Sequence, residues 1–376
     1  MAGSLRVSPP SGKSERGDNQ LIILVSGGFG FIGSAVVRRL LATSDHTVVN
    51  LDKVTYAATP ESLGQWQDHA RHVHVRADVC DAEAVRTVFA RWRPDRVMHL
   101  AAETHVDRSI DRPAAFVVTN VVGTQVLLEA ARAHWDGLNA SGRDAFRFHH
   151  VSTDEVFGTL GAADPAFDER TRYDPSSPYA ASKAASDHLV RAWRETYGLP
   201  AFVSNTTNNY GPWQFPEKLV PVMILSAVQG LRLPVYGDGS NVRDWIHVDD
   251  HAEALCLALD HGRPGETYCL GARQERSNLR VAEAICDTLD RLRPDPRGPR
   301  RRLIAFVEDR PGHDWRYAMD PSRAEQALGW KARRNFEAGL EETLTWYLEN
   351  ESWWRGVRDR TYSGERLGVA RAAAAH

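Results

Sequence analysis

A doubly wound parallel α/β sheet, joined to a smaller and discontinuous second α/β domain, is the fold this 376-residue sequence predicts. Three observations carry that expectation. Gly27, Gly30 and Gly33 separate a first apolar run from a first helical pattern. Short β-rich runs then alternate with helical stretches as far as residue 205, the succession of βαβ units. Beyond Tyr210 the texture changes, with Pro and Gly crowding at Gly211, Pro212, Pro216, Pro221, Gly230, Pro234, Gly237 and Gly239.

The strand candidates are 21–26, 47–51, 72–77, 96–101, 147–152 and 201–205. Several are apolar without alternation, as strands covered on both faces should be. Helical patterns fill 34–42, 82–92 and 114–134, and 294–302 (PDPRGPRRR) has the composition of a surface loop. The expected division is a disordered tail over 1–20 and a nucleotide-binding half over 21–205. Segments 237–264 and about 335–352 return to that half. The second half is assembled from 206–236 and 265–334.

Composition narrows the function classes. A chain of this mass would bury about three quarters of its unfolded surface, leaving ~15,000 of ~61,000 Å² exposed. Lys+Arg number 46 against 49 Asp+Glu, a net charge of -3, so no basic excess calls for nucleic acid or an anionic membrane. Cys80, Cys256, Cys269 and Cys286 form no Cys-x-x-Cys pair, which argues against a zinc cluster or a disulfide framework. The polar first twenty residues lack the apolar core of a secretory signal. The longest uncharged run, 21–37, is shorter than the ~20 residues a membrane span needs and is interrupted by glycines. A soluble cytoplasmic protein without a metal site is expected.

The glycine triplet explains itself chemically. Gly27 permits the tight turn, Gly30 lets the backbone approach a pyrophosphate, and Gly33 allows close helix–strand packing. The following helix then points its N-terminus at the phosphate charge. Asp52 ends the second strand candidate about twenty residues on. A carboxylate there accepts from ribose hydroxyls and repels a 2′-phosphate, which selects NAD over NADP. Tyr179 and Lys183 stand at i, i+4 on one helix face. An ammonium beside a phenol, together with a cationic nicotinamide, can lower the phenol from its usual pKa ≈ 10 and make it a base. Ser152 and Thr153 end the fifth strand candidate upstream. Asp154 and Glu155 follow at once, and such a pair is what an elimination requires: a base for a carbon-bound proton and an acid for a departing hydroxyl.

With Leu100, Ala101, Ala102 and Asn120, these parts resemble an extended short-chain dehydrogenase/reductase with a Rossmann sheet. Longer stretches are similar to the nucleotide-sugar 4,6-dehydratases, above all the branch that acts on dTDP-glucose. They are 99–110 (HLAAETHVDRSI), 176–188 (SSPYAASKAASDH), 208–219 (NNYGPWQFPEKL), 233–239 (LPVYGDG), 243–245 (RDW) and 309–314 (DRPGHD). The sequence departs from that family's pattern at Ser26, Phe29, Thr104, Phe157, Thr206 and Thr207.

The resemblance implies a set of roles. NAD would be held by Gly27, Gly30, Phe31, Ile32, Gly33, Asp52, Lys53, Thr55, Asp78, Val79, Leu100, Ala101, Ala102, Thr119, Asn209, Tyr179 and Lys183. The sugar nucleotide would meet Thr104, Thr153, Asn208, Lys218, Leu219, Pro234, Val235, Tyr236, Arg243, Asn278 and His313. Catalysis would fall to Thr153, Asp154, Glu155, Tyr179 and Lys183, with no metal. The implied reaction is a hydro-lyase step: C4 oxidation, loss of water across C5 and C6, and hydride return to C6. The alternatives are a dehydratase for a UDP- or GDP-hexose, an epimerase or decarboxylase on the same fold, and a catalytically silent NAD-binding protein. The resemblance also implies a homodimer formed by the helix around 114–134 and the helix carrying Tyr179.

Overall fold

The computed structural model describes residues 20–310 and 312–361. The tail expected over 1–20 therefore lies almost wholly outside the described residues. Strands β1 Ile22–Ser26, β2 Thr47–Leu51, β3 His72–Val75, β4 Arg96–His99, β5 Arg147–Thr153 and β6 Ala201–Thr206 appear in order. They are followed by β7 Asn208–Tyr210, β8 Leu233–Tyr236, β9 Val242–His247, β10 Thr267–Leu270, β11 Glu275–Ser277 and β12 Ile304–Val307.

Seven strands form one parallel sheet in the order β10-β6-β5-β4-β1-β2-β3, the doubly wound arrangement the sequence predicts. The reversal falls between β1 and β4, so a crevice opens at their carboxyl ends. Side chains alternate across each strand, and the two faces fill two separate cores. Ile23 and Val25 pack under the helices Phe31–Thr43 and Val248–His261, whereas Ile22 and Leu24 pack with Val85, Leu128 and Val190 on the other face.

The described strands are shorter than the apolar runs at β3 and β4, which stop at Val75 and His99. The first helix begins at Phe31, immediately after the turn glycines. Helix Pro113–Asp136 is the one described helix long and apolar enough to cross a bilayer, yet half of its most apolar window is buried in the fold. A π-helical stretch, Val117–Val122, interrupts it and turns Thr119 and Asn120 inward.

The second half differs from the expected division. Strand β10, from the segment assigned to the second domain, is the edge of the main sheet against β6. Ala324 and Leu328 likewise pack in the core of the nucleotide-binding half. Conversely helix Phe336–Glu349, expected to return to that half, packs Phe336, Leu340 and Leu344 beside Val220, Ile224 and Ile285 in the second core. Strand β9 joins β7 and β11 in a separate three-stranded sheet, and β8 pairs with β12. The 294–302 loop is anchored: Arg300 is buried and its guanidinium meets Asp290 at 2.6 Å and the Ala227 carbonyl at 3.2 Å.

Candidate active site

The glycine turn is held from beneath by a residue with no motif of its own. The buried Asn50 accepts the Gly28 amide at 3.0 Å through Oδ1, fixing the loop against β2. Gly27 has φ +76°, and a Cβ there would lie 2.8 Å from the Ala101 backbone. A Cβ on Gly33 would lie 2.0 Å from the Gly27 carbonyl oxygen. Backbone and helix thus meet at a distance only glycine allows. The helix that follows has neither a side-chain cap nor an acidic first turn, so its leading amides remain available to an anion.

Asp52 closes the far side. Its carboxylate accepts the Phe29 amide at 3.0 Å and the Val54 amide at 2.7 Å, which leaves one lone pair on each oxygen for a ribose. Lys53 pairs with Asp78 at 3.2 Å, and Asp78 also accepts the Cys80 amide at 2.9 Å. Thr55, Val79, Leu100, Ala101, Ala102, Thr119 and Asn209 line the same cleft, of about 290 Å³. A cradle closed to any Cβ, an open helix N-terminus and a ribose-facing carboxylate fit a dinucleotide.

Helix Pro178–Tyr197 starts where Ser177 caps the Ala180 amide, and it carries both Tyr179 and Lys183 into the cleft. Lys183 is 4 % exposed and donates to the Val151 carbonyl at 2.8 Å. Burial lowers its pKa to about 8, against the raising effect of Asp187. The Tyr179 phenol moves the opposite way from the sequence expectation: burial pushes it up, and the Glu155 carboxylate adds to the rise. A phenol used as a base in this cleft would need a positive charge close to it to lower it again. Thr153 opposes that rise at the phenol, lies 3.2 Å from Asp154 Oδ1, and accepts the Glu155 amide at 3.3 Å.

The two carboxylates differ in environment. Asp154 is 2 % exposed, and burial, then Glu155, pushes its pKa up to about 8. Among the described residues its Oδ2 has no hydrogen-bond partner. Glu155 is also raised by burial, but Arg310, Arg243 and Lys218 act against that rise. Both carboxyls are thus raised by burial, and at Glu155 three cationic groups oppose the rise.

Of the expected sugar-nucleotide residues, Thr104, Thr153, Asn208 and Lys218 line the cleft beside the carboxylates. Lys218 donates to the Thr104 carbonyl at 2.8 Å, and Leu219 opens the next helix. Arg243 is buried, stacked 4.1 Å over the Tyr317 ring, and its terminal nitrogens donate to the carbonyls of Val242, Asp314 and Trp315. Tyr236 and His313 meet edge to face, with ring centroids 6.1 Å apart. Asn278 is buried, and among the described residues its side-chain oxygen has no partner. Val235 turns its side chain into the second core beside Ile224, so only its backbone, between Pro234 and Tyr236, is left for a ligand.

Sequence reasoning missed three groups here. Arg310 pairs with Asp107 at 2.9 Å and acts on Glu155; its segment was singled out only for His313. Glu217 gathers Tyr56 at 3.0 Å and Arg108 at 2.9 Å, tying the loop after β2 to the segment that bears Lys218. Asn50 alternates with its neighbours on an ordinary strand and gives no sequence signal.

Comparison with known proteins agrees with this geometry. The profile of the GDP-mannose 4,6 dehydratase family matches residues 24–343. A dTDP-glucose 4,6-dehydratase of Escherichia coli is 53 % identical over 358 residues, covering 92 % of this chain and 99 % of the relative. This chain belongs to the dTDP-glucose 4,6-dehydratase family. Two solved members share the fold. The dTDP-glucose 4,6-dehydratase of Streptomyces venezuelae, solved with NAD bound, is 39 % identical with a TM-score of 0.82, covering 90 % of this chain and 100 % of its own. That of Bacillus anthracis, also in complex with NAD, is 38 % identical with a TM-score of 0.79, covering 90 % and 99 %.

Proposed function

We propose that the protein carries out NAD-dependent 4,6-dehydration of dTDP-glucose, giving water and dTDP-4-keto-6-deoxyglucose. The observation that carries this reading is the carboxylate pair, Asp154 raised to about 8 beside Glu155, within the cleft that also holds Tyr179 and Lys183. Bound NAD supplies the acceptor for the hydride from C4 and the donor that returns it to C6. Tyr179 takes the proton of the 4-hydroxyl, with Thr153 and Lys183 orienting the reacting groups. The resulting 4-ketone acidifies C5, Glu155 removes that proton, and Asp154 protonates the 6-hydroxyl as it leaves. Arg243, Lys218 and Asn278 offer donors to the nucleotide diphosphate, and Tyr236 a ring for the base. The carboxylate of Asp52 favours NAD over NADP.

A homodimer goes with this reading. Val117, Val118 and Val122 are 50 %, 50 % and 43 % exposed on helix Pro113–Asp136, which packs beside helix Pro178–Tyr197. A four-helix contact would cover them. A monomeric mass by light scattering at micromolar concentration would count against it. Expression without export and a reducing, cytoplasmic setting suit four unpaired thiols.

The function is tested by incubating the purified chain with dTDP-, UDP- and GDP-hexoses and assaying the alkaline absorbance of a 4-keto product. Turnover of dTDP-glucose first among them is expected. Preference for another nucleotide would reassign the substrate, and no product from any would leave an NAD-binding protein.

A further inference from the structure

Lys183 poses an electrostatic problem that the catalytic cleft alone does not solve. A buried ammonium is costly without a compensating charge. It donates to the Val151 carbonyl at 2.8 Å, and among the described residues no carboxylate lies within ion-pair distance of it. Beneath it lies His150, 1 % exposed, whose Nε2 stands 3.4 Å from Lys183 Nζ. The same Nε2 is 3.2 Å from Oδ1 of Asp187, one helical turn beyond Lys183 and 0 % exposed. One ring nitrogen cannot donate to the carboxylate and accept from the ammonium at once. Among the described residues neither Asp187 Oδ1 nor His150 Nδ1 has a hydrogen-bond partner, so the ring nitrogen stands within reach of both charges without being fixed to the carboxylate.

Asp187 is held rigidly for this task. Its Oδ2 accepts from Ser152 at 2.9 Å, from Tyr173 at 2.9 Å and from Asn205 at 3.2 Å. Burial works to raise its pKa, but the neighbouring His150 and Lys183, with Ser152, hold the carboxyl below its ordinary value. Burial, then Lys183, lowers His150 to about 4, so the imidazole is neutral. Other titratable groups face the cluster as well: His99 on β4, Tyr179 on the same helix, and Tyr173, which accepts from Arg191. Of these, His99 is kept neutral by burial. Asp187 is the carboxylate whose charge bears on Lys183 among the described residues.

We propose that Asp187, acting through His150, is the counter-charge that keeps the Lys183 ammonium protonated and seated beside Tyr179, making both positioning residues for the redox step. This rests on the dehydratase reading for its kinetic consequence but not for its direct measurement. The sequence contains only five lysines, at 13, 53, 183, 218 and 331, so a carbon-13 lysine label gives a resolvable titration of the whole chain.

The experiment is that titration, without NAD, on wild type, Asp187→Asn and His150→Leu. The Lys183 midpoint should fall by about one unit or more in both variants, the range an opposite charge supplies, while Lys53 stays put. Asp187→Glu should restore it. In stopped-flow reduction of bound NAD by dTDP-glucose, the alkaline limb of the pH–rate profile should move to lower pH by the same amount. A structural role would instead lower the rate evenly across pH. An unchanged Lys183 midpoint in either folded variant overturns the proposal. A wild type that reduces no NAD with any nucleotide sugar overturns the functional reading and leaves the titration to stand or fall alone.

Discussion

The two halves of the cleft are built on different principles. The cofactor half is made of backbone: a glycine turn pressed to 2.8 Å from Ala101, free helix amides, and Asp52 tied to the Phe29 and Val54 amides. The sugar half is made of side-chain charge gathered from distant segments. Lys218, Arg243 and Arg310 all bear on Glu155, and the chain supplies them across nearly a hundred residues. A backbone-made site is geometric and fails abruptly when its shape changes. A charge-made site is tuned by each partner and should fail by degrees.

The largest expected effect separates chemistry from binding within the sugar half. Glu155→Gln keeps the shape and loses the base, so product formation should fall by about 10²–10⁴-fold, the usual reach of general acid–base catalysis. Reduction of bound NAD should survive. Mass detection of solvent deuterium at C5 checks it, and normal exchange in this variant would assign the base elsewhere.

Next comes the cofactor half. Gly33→Ala places a methyl 2.0 Å from the Gly27 carbonyl oxygen, against backbone that cannot step aside. Overpacking of about 1–3 kcal/mol should cost roughly tenfold or more in NAD retention. Purification followed by cofactor assay reads this directly, and full NAD content would break the contrast drawn above.

A graded loss should follow in the charge-made half. Arg243→Gln removes a guanidinium already spending donors on three backbone carbonyls. KM for the nucleotide sugar should rise by about 10- to 100-fold, in line with a lost charged hydrogen bond of about 1.5–3 kcal/mol, at unchanged NAD content. Loss of NAD along with substrate would show the halves to be one cooperative unit.

The smallest effect is on stability. Asp154 is raised to about 8 in the folded protein, so the native state binds its proton more tightly than the unfolded chain does. That contribution is complete below the ordinary carboxylate range and is lost as pH rises toward 8. Asp154→Asn should therefore melt higher by about 2 °C, with a gain larger at pH 8 than at pH 5. A gain independent of pH would show that Asp154 is not the buried acid described.

Much of this was legible in the residues alone. The parallel sheet followed from apolar runs of strand length, and the glycine triplet, Asp52, Tyr179 with Lys183, and Asp154 with Glu155 were found by spacing. Each of those signals is local: a turn, a strand end, one helical turn, two adjacent residues. Their spacing can be read without knowing any distant contact.

Tertiary structure decided the rest. Strand β10 joins the main sheet because its edge pairs with β6, a choice made more than sixty residues away, and helix Phe336–Glu349 sits in the second core because Ile224 and Ile285 offer it an apolar face. Asn50 matters only because the Gly28 amide lies over it, and Arg310 only because folding brings it to Asp107 and Glu155. The rise of the Tyr179 phenol has the same origin. Spacing places a phenol beside an ammonium, but burial, which no spacing records, sets the cost of its charge.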